Sequence, residues 1–270
     1  FQAEDGIRHF CLSRGLGDVY KRQVIRSSAF DSRASSDSER MTLDGAVNKT
    51  AIMLAILIST AAISWNFPSP FIVMLSYIGI FAAAIASVAT FGFWMPFIGF
   101  IINPRPYLAP KTWLVFAFGE GFFIGLISLS FETMFPGIVL EAVSLTFCVA
   151  ATLLFLYKSG IVKPSQNFVL MVCSAVFGIF LFYIGTLIYS LVTGVSPEIF
   201  SGSSNASIGL SLFIVAMAAF SLVLDFDIIE QSAEYGSPKY MEYFGAMALV
   251  TTLIWLYIEI LRLLAKFRSR

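Results

Sequence analysis

Seven stretches of this chain stay apolar long enough to cross a lipid bilayer, and turn signals separate every one of them from the next. They cover residues 51–67, 71–92, 113–131, 138–157, 168–192, 208–229 and 241–261, against the roughly 20 residues a helix needs to span the hydrocarbon core. Between them lie Pro68 and Pro70, NPRPYLAPK, FPG at 135–137, KSGIVKPSQ and TGVSPEIFSGSSNAS, all rich in residues that stop helices. In lipid the backbone must satisfy its own polar groups, so runs of this length form helices. The expected fold is an all-α membrane protein, a seven-transmembrane-helix bundle, with no soluble domain and no internal repeat. The second run continues past Gly92 as FGFWMPFIGFII, where Pro96 suggests a kink or an interfacial segment.

Composition agrees, with 58% hydrophobic and 13% charged residues. The net charge is zero and the basic residues cluster in short stretches, so no basic face is expected for nucleic acid. The lipid bilayer is the expected partner. The three cysteines are too few for a disulfide framework, and Cys148 and Cys173 fall inside apolar runs, where a thiol behaves as a small hydrophobe.

Residues 1–23, FQAEDGIRHFCLSRGLGDVYKRQ, have neither apolar periodicity nor a secretory core. They resemble translated adapter DNA at the edge of an assembled contig and read as non-native. The only histidine, His9, lies there, as does the GLGD string from Gly15 to Asp18. Residues 24–50 are rich in Ser, Asp and Arg and read as a disordered cytoplasmic tail. The membrane domain is expected over 51–262, with a basic C-terminal tail over 263–270.

Short-loop lysines and arginines set orientation. Arg40, Lys49, Arg105, Lys111, Lys158, Lys163 and Lys239 mark the N-terminus and the even loops, while the first, third and fifth loops have no Lys or Arg. The N-terminus is therefore expected in the cytoplasm. Seven spans would put Arg262, Lys266, Arg268 and Arg270 outside, against the rule; either the tail is an exception or one segment dips in without crossing.

Charged groups inside spans mark pathways or relays by default, because each costs several kcal/mol without a partner or water. Glu120 lies well inside the third run, next to a stripe of Ala117, Gly121 and Gly125 that would admit a neighbouring helix. Asp225 and Asp227 lie near the end of the sixth, in VLDFDIIEQ. Glu259 lies in the last, with Arg262 three residues on and on the same face; this pair reads equally as a structural ion pair. Asp225 and Glu230 read as vestibule charges in contact with water. Asp227, Glu259, Glu120 and Arg262 are the candidate ion pathway and pH gate. A carboxylate that trades its charge for a proton loses its hold on a cation, and oxygen ligands suit a hard ion such as calcium. Calcium is thus a possible permeant ion, with no cofactor and no resident metal expected.

FSLVLDFDIIEQSAEYGSPKYMEY followed by LIWLYIEILRLL resembles the C-terminal signature of the Bax inhibitor-1 family, specifically a bacterial YccA-like branch. FGEGFFIGLISLSFE, PGIVLEAVSLTF and LYKSG look like the same branch, and the likeness covers about residues 24–270. The resemblance implies a seven-helix bundle with the last helix central, in a bacterial inner membrane, and a pH-sensitive calcium leak. It also implies a lock of two aspartates, one on each of the last two helices. Asp227 matches the first; Thr252 stands where the second is expected, leaving Glu259 or Glu120 as substitutes or the lock lost.

The alternative is a non-conducting membrane regulator that binds a membrane protease or another membrane protein, with the small-residue stripe as its contact. An enzyme is not expected. No run contains the histidine that Ser-His proteolysis or His-ligated zinc requires, and none contains an interior lysine for a Schiff base.

Overall fold

The structure, a computed structural model, describes residues 40–91, 105–195 and 197–270. Seven long helices run through the described residues: α1 Leu43–Asn66, α2 Pro70–Phe91, α3 Ala109–Met134, α4 Ile138–Lys158, α5 Gln166–Thr193, α6 Asn205–Glu234 and α7 Tyr240–Arg268. All seven are long and apolar enough to cross a membrane. No strand occurs among the described residues, only an isolated bridge between Arg40 and Pro238. The expected all-α seven-helix bundle is what the chain forms.

Local chemistry sets the helix ends. Thr42, Ser165 and Ser204 cap α1, α5 and α6, each accepting the N–H three residues on, which satisfies a donor the helix cannot. Glu132 does the same from the end of α3, accepting from Gly137 N (2.5 Å) and Val139 N (3.1 Å) at the start of α4. Gly194, at φ 73°, closes α5 in the left-handed conformation that glycine enters without a Cβ clash.

The packing of α3 explains its glycines. A Cβ at Gly121 would come within 1.9 Å of Thr60 Oγ1, one at Gly125 within 2.0 Å of Ser64 Oγ, and one at Gly119 within 2.1 Å of the Gly79 carbonyl. Thus α1 and α2 each lie almost backbone to backbone on α3, the contact small residues make possible when lipid supplies no hydrophobic drive. The Thr60 and Ser64 hydroxyls donate back to carbonyls of their own helix, so their burial leaves no donor unmet.

Helix α7 is the hub. Half of its most apolar window is buried, against 11% for α5, and it touches α1, α3, α4 and α6. Its contacts with α3 run in parallel: Trp113 against Tyr243, Thr112 against Met247, and Ser128 bonded to Tyr257 at 2.6 Å. Those with α6 run antiparallel: Ile229 over Gly245 at one end, and Ser211 bonded to Lys266 at the other. The last helix is central, as expected.

Two expected boundaries move. Residues 43–50, assigned to the disordered tail, are the first two turns of α1, and Met41 is 4% exposed. Residues 263–268, assigned to a basic tail, continue α7, and Lys266 is buried within the bundle. Both were misjudged because charged and polar residues interrupt the apolar pattern there, whereas capping and interhelical hydrogen bonds hold them helical. The possible kink at Pro96, the suspected leader and the tail over 24–39 lie outside the described residues.

Candidate functional site

One buried stripe of α6 faces α7. Ser207, Ser211, Ile214, Ala218, Leu222 and Ile229 are all buried, and their spacing of three and four places them along one side of the helix. Asp225 falls on that stripe, between Leu222 and Ile229. Its Oδ2 is sealed from solvent and accepts no hydrogen bond among the described residues. Across the seam stands Thr252 of α7, in hydrogen-bonding reach of Asp225, its hydroxyl directed to the Ala248 carbonyl at 3.2 Å.

Asp225 was expected in a solvated vestibule, and this is a correction. Two residues further on, about 200° around the helix at 100° per residue, Asp227 belongs to a different contact. Its Oδ1 accepts from the Tyr157 hydroxyl of α4 (3.4 Å) and its Oδ2 from Gln231 Nε2 (2.5 Å). The same Tyr157 hydroxyl makes a very short hydrogen bond to Glu230 Oε2. A phenol has one proton to donate, so Asp227 and Glu230 compete for it. Asp227 and Glu230 therefore form a pair at the seam of α4 and α6, near the end where α6 stops.

The other expected gate residues lie apart. Glu259 is 2% exposed and accepts from Tyr183 of α5 (2.6 Å) and from Arg262 (3.1 Å), so the ion-pair reading of Glu259 with Arg262 describes its geometry. By the antiparallel register it lies level with about residue 217 of α6, some 15 Å along the helix from Asp227 at 1.5 Å per residue. Glu259 cannot face Asp227 in this arrangement. Glu120 sits on the α3 stripe of Phe116, Ile124 and Ile127, which contributes to the main core. It has no hydrogen-bond or ion-pair partner among the described residues. The parallel register puts it level with Thr252, but Tyr243, Met247 and Tyr257 turn one face of α7 to α3 while Thr252 and Lys266 turn the opposite one to α6. Glu120 and Asp225 thus share a depth with α7 between them.

One carboxylate was not anticipated. Glu242, 2% exposed at the start of α7, accepts from Thr42 N (3.0 Å) and Thr42 Oγ1 (3.2 Å). Met41 N also donates to the Ser237 carbonyl at 2.8 Å. An acid at a helix N-terminus is favoured by the partial positive charge of the first turn, so Glu242 clamps α1 to the loop between α6 and α7. The signal was present as a Thr-Leu-Asp-Gly helix start, but its acidic partner is 200 residues away, beyond any local motif.

The small-residue stripe of α3 is also accounted for. Gly121 and Gly125 are occupied by α1 within the same chain, so the stripe is an internal contact. Among the described residues no group of three or more His, Cys, Asp or Glu side chains could hold a metal ion.

Searches of curated proteins and of solved structures each return no significant match. A family model described as Bax inhibitor 1 like matches residues 22–269, nearly the whole chain and all seven helices, and on that match the chain belongs to the Bax inhibitor 1 like family.

Proposed function

We propose that this protein is a pH-sensitive cation leak, with calcium as the first candidate ion, and that Asp225 is the carboxylate the ion meets in the middle of the path. Family membership supports the class of function, and one observation carries the site: an acid with a sealed, unpartnered oxygen at the seam of the two helices that contact each other most closely around the hub. Leaving such a group without a donor costs of the order of a few kcal/mol. A function that uses the carboxylate accounts for its retention.

Asp227 and Glu230 then act as the acidic entrance, on the cytoplasmic side in the orientation the loop lysines favour. We assign the chain to a bacterial plasma membrane and to the YccA-like branch of the family on the motif likeness. With Thr252 opposite Asp225, no second carboxylate among the described residues shares its proton, so the switch is a single site. The sign follows: ionised Asp225 attracts the cation, protonated Asp225 does not, and flux falls as the medium is acidified. No enzymatic step is invoked.

The experiment is calcium flux in proteoliposomes across pH for wild type, Asp225→Asn and Asp227→Asn. The amide mimics the protonated acid. Asp225→Asn should give low flux with no pH dependence, whereas Asp227→Asn should lower flux and keep the pH response. Wild-type behaviour of Asp225→Asn would remove this residue from the mechanism, and absence of flux in the wild type at every pH would favour a non-conducting regulator.

A further inference from the structure

The seam that carries Asp225 continues one turn further along α6 to Ile229, and there it ends under a segment that belongs to no helix. Ile229 packs onto Gly245 of α7, where an added Cβ would come within 2.8 Å of Ile229 Cγ1. Met41, Ala46, Ile229 and Met241 form one buried cluster, separate from the main core of the bundle. Ala46, Ile229 and Met241 come from α1, α6 and α7, whereas Met41 precedes α1 and lays an apolar side chain, 4% exposed, over the end of the seam. The Asp225 Oδ2 one turn away is sealed from solvent, so the seam is shut at this end.

A short set of polar contacts holds Met41 there. Its N–H donates to the Ser237 carbonyl (2.8 Å), Arg40 forms an antiparallel bridge with Pro238, and Thr42 donates to Glu242 Oε1 from its N–H (3.0 Å) and its hydroxyl (3.2 Å). Gly45 lets the first turn of α1 close on that carboxylate, since a Cβ there would fall 2.1 Å from Glu242 Oε1. Capping α1 requires only the Thr42 hydroxyl, which accepts from Gly45 N. The remaining contacts tie residues 40–42 to the α6–α7 loop and the start of α7. Each such bond replaces one to water and contributes little net, so a segment held this way, over a cluster apart from the main core, can open locally while the bundle stays packed.

We propose that residues 40–42 are an autoinhibitory strap: with Met41 seated over Ile229 the seam is closed, and the strap must lift before a cation passes between the acidic end of the bundle and Asp225. Its effect on flux rests on the leak function proposed above.

A reversible cross-link tests this. In a background lacking the native cysteines, Arg40→Cys with Pro238→Cys places two thiols on paired residues of an antiparallel bridge, whose Cα atoms lie about 4.5–5.5 Å apart, within reach of a disulfide. Calcium flux in proteoliposomes should be well below wild type when the pair is oxidised and should recover when the same sample is reduced, so each sample is its own folding control. Thr42→Val keeps the side chain's shape and removes one hydrogen bond to a carboxylate, and should raise flux about tenfold. Equal flux before and after reduction, in protein that conducts, overturns the strap. Ile229→Cys gives a readout that needs no conduction: a water-soluble methanethiosulfonate should modify it faster, by a similar factor, when Thr42→Val is added, and equal rates overturn the strap. Absence of flux from all of these proteins at every pH, with that acceleration present, would sink the leak and leave the strap standing.

Discussion

Asp225 and Asp227 differ by one helical half-turn, and that rotation decides what each meets. Asp225 looks across at α7 and Thr252; Asp227 looks at Tyr157 of α4 and at its own Gln231. If the Asp225 carboxylate is the site of proton competition, a second acid placed opposite it should couple to it. Thr252→Asp is therefore expected to broaden the pH dependence of flux and split it into two steps, because two facing carboxylates repel and take up their protons one after the other. Proteoliposome flux over a fine pH series measures this; an unchanged profile would place residue 252 outside the ion's surroundings. The sequence marks both aspartates as costly, and its likeness to the family points to one aspartate here and one place opposite. What it cannot give is phase: no count along α6 says which of two acids two residues apart turns toward α7, because tertiary packing fixes the rotation of the helix.

At the scale of the helices, two contacts position this seam. The first is the near approach of α1 and α2 to α3 through Gly119, Gly121 and Gly125. Gly121→Val and Gly119→Val should each lower stability by about 1–3 kcal/mol, the usual cost of overpacking. Gly185→Val, where an added Cβ meets nothing within 4 Å, should cost less than about 1 kcal/mol, the glycine and β-branch propensities nearly cancelling. Thermal unfolding in one detergent compares the three, and equal losses would mean that helix propensity, and not close approach, sets the cost. The second contact is the Glu242 clamp on α1. Glu242→Ala should release the capped turn at a cost of about 1–2 kcal/mol and raise hydrogen exchange at Thr42 and Gly45, while amides in the middle of α7 stay protected. The runs of apolar residues predict these helices well in their interiors. Their ends are less legible: residues 43–50 and 263–268 look like tails because a polar surface is read as solvent, whereas here it meets Glu242, Ser207 and Ser211.

For the whole molecule, both ends of the bundle carry cations: Lys158 and Lys239 lie at the Asp227 end, beside Tyr157 and the start of α7, and a second basic cluster lies at the other end. Asp227, Glu230 and Glu242 gather where α6 stops and α7 begins, and Arg262, Lys266, Arg268 and Arg270 gather where α7 stops. Seven crossings place these ends on opposite faces of the membrane, against the rule that basic segments stay with the other basic loops. The helical, hydrogen-bonded state of residues 263–268 gives a physical reason for the exception, since Lys266 is held by Ser207 and Ser211 of α6 and is not a free loop charge. Single cysteines in a background lacking the native ones decide the matter: Tyr235→Cys between α6 and α7, Val195→Cys after α5, and Ser269→Cys after α7, all exposed positions. An impermeant maleimide added outside sealed vesicles should label Val195→Cys and Ser269→Cys alike and Tyr235→Cys only after the membrane is opened, or the reverse in inverted vesicles. If Ser269→Cys labels with Tyr235→Cys instead, α7 does not cross. The hub of the bundle would then be a re-entrant element, and a path along the seam of α6 and α7 would open to one face only.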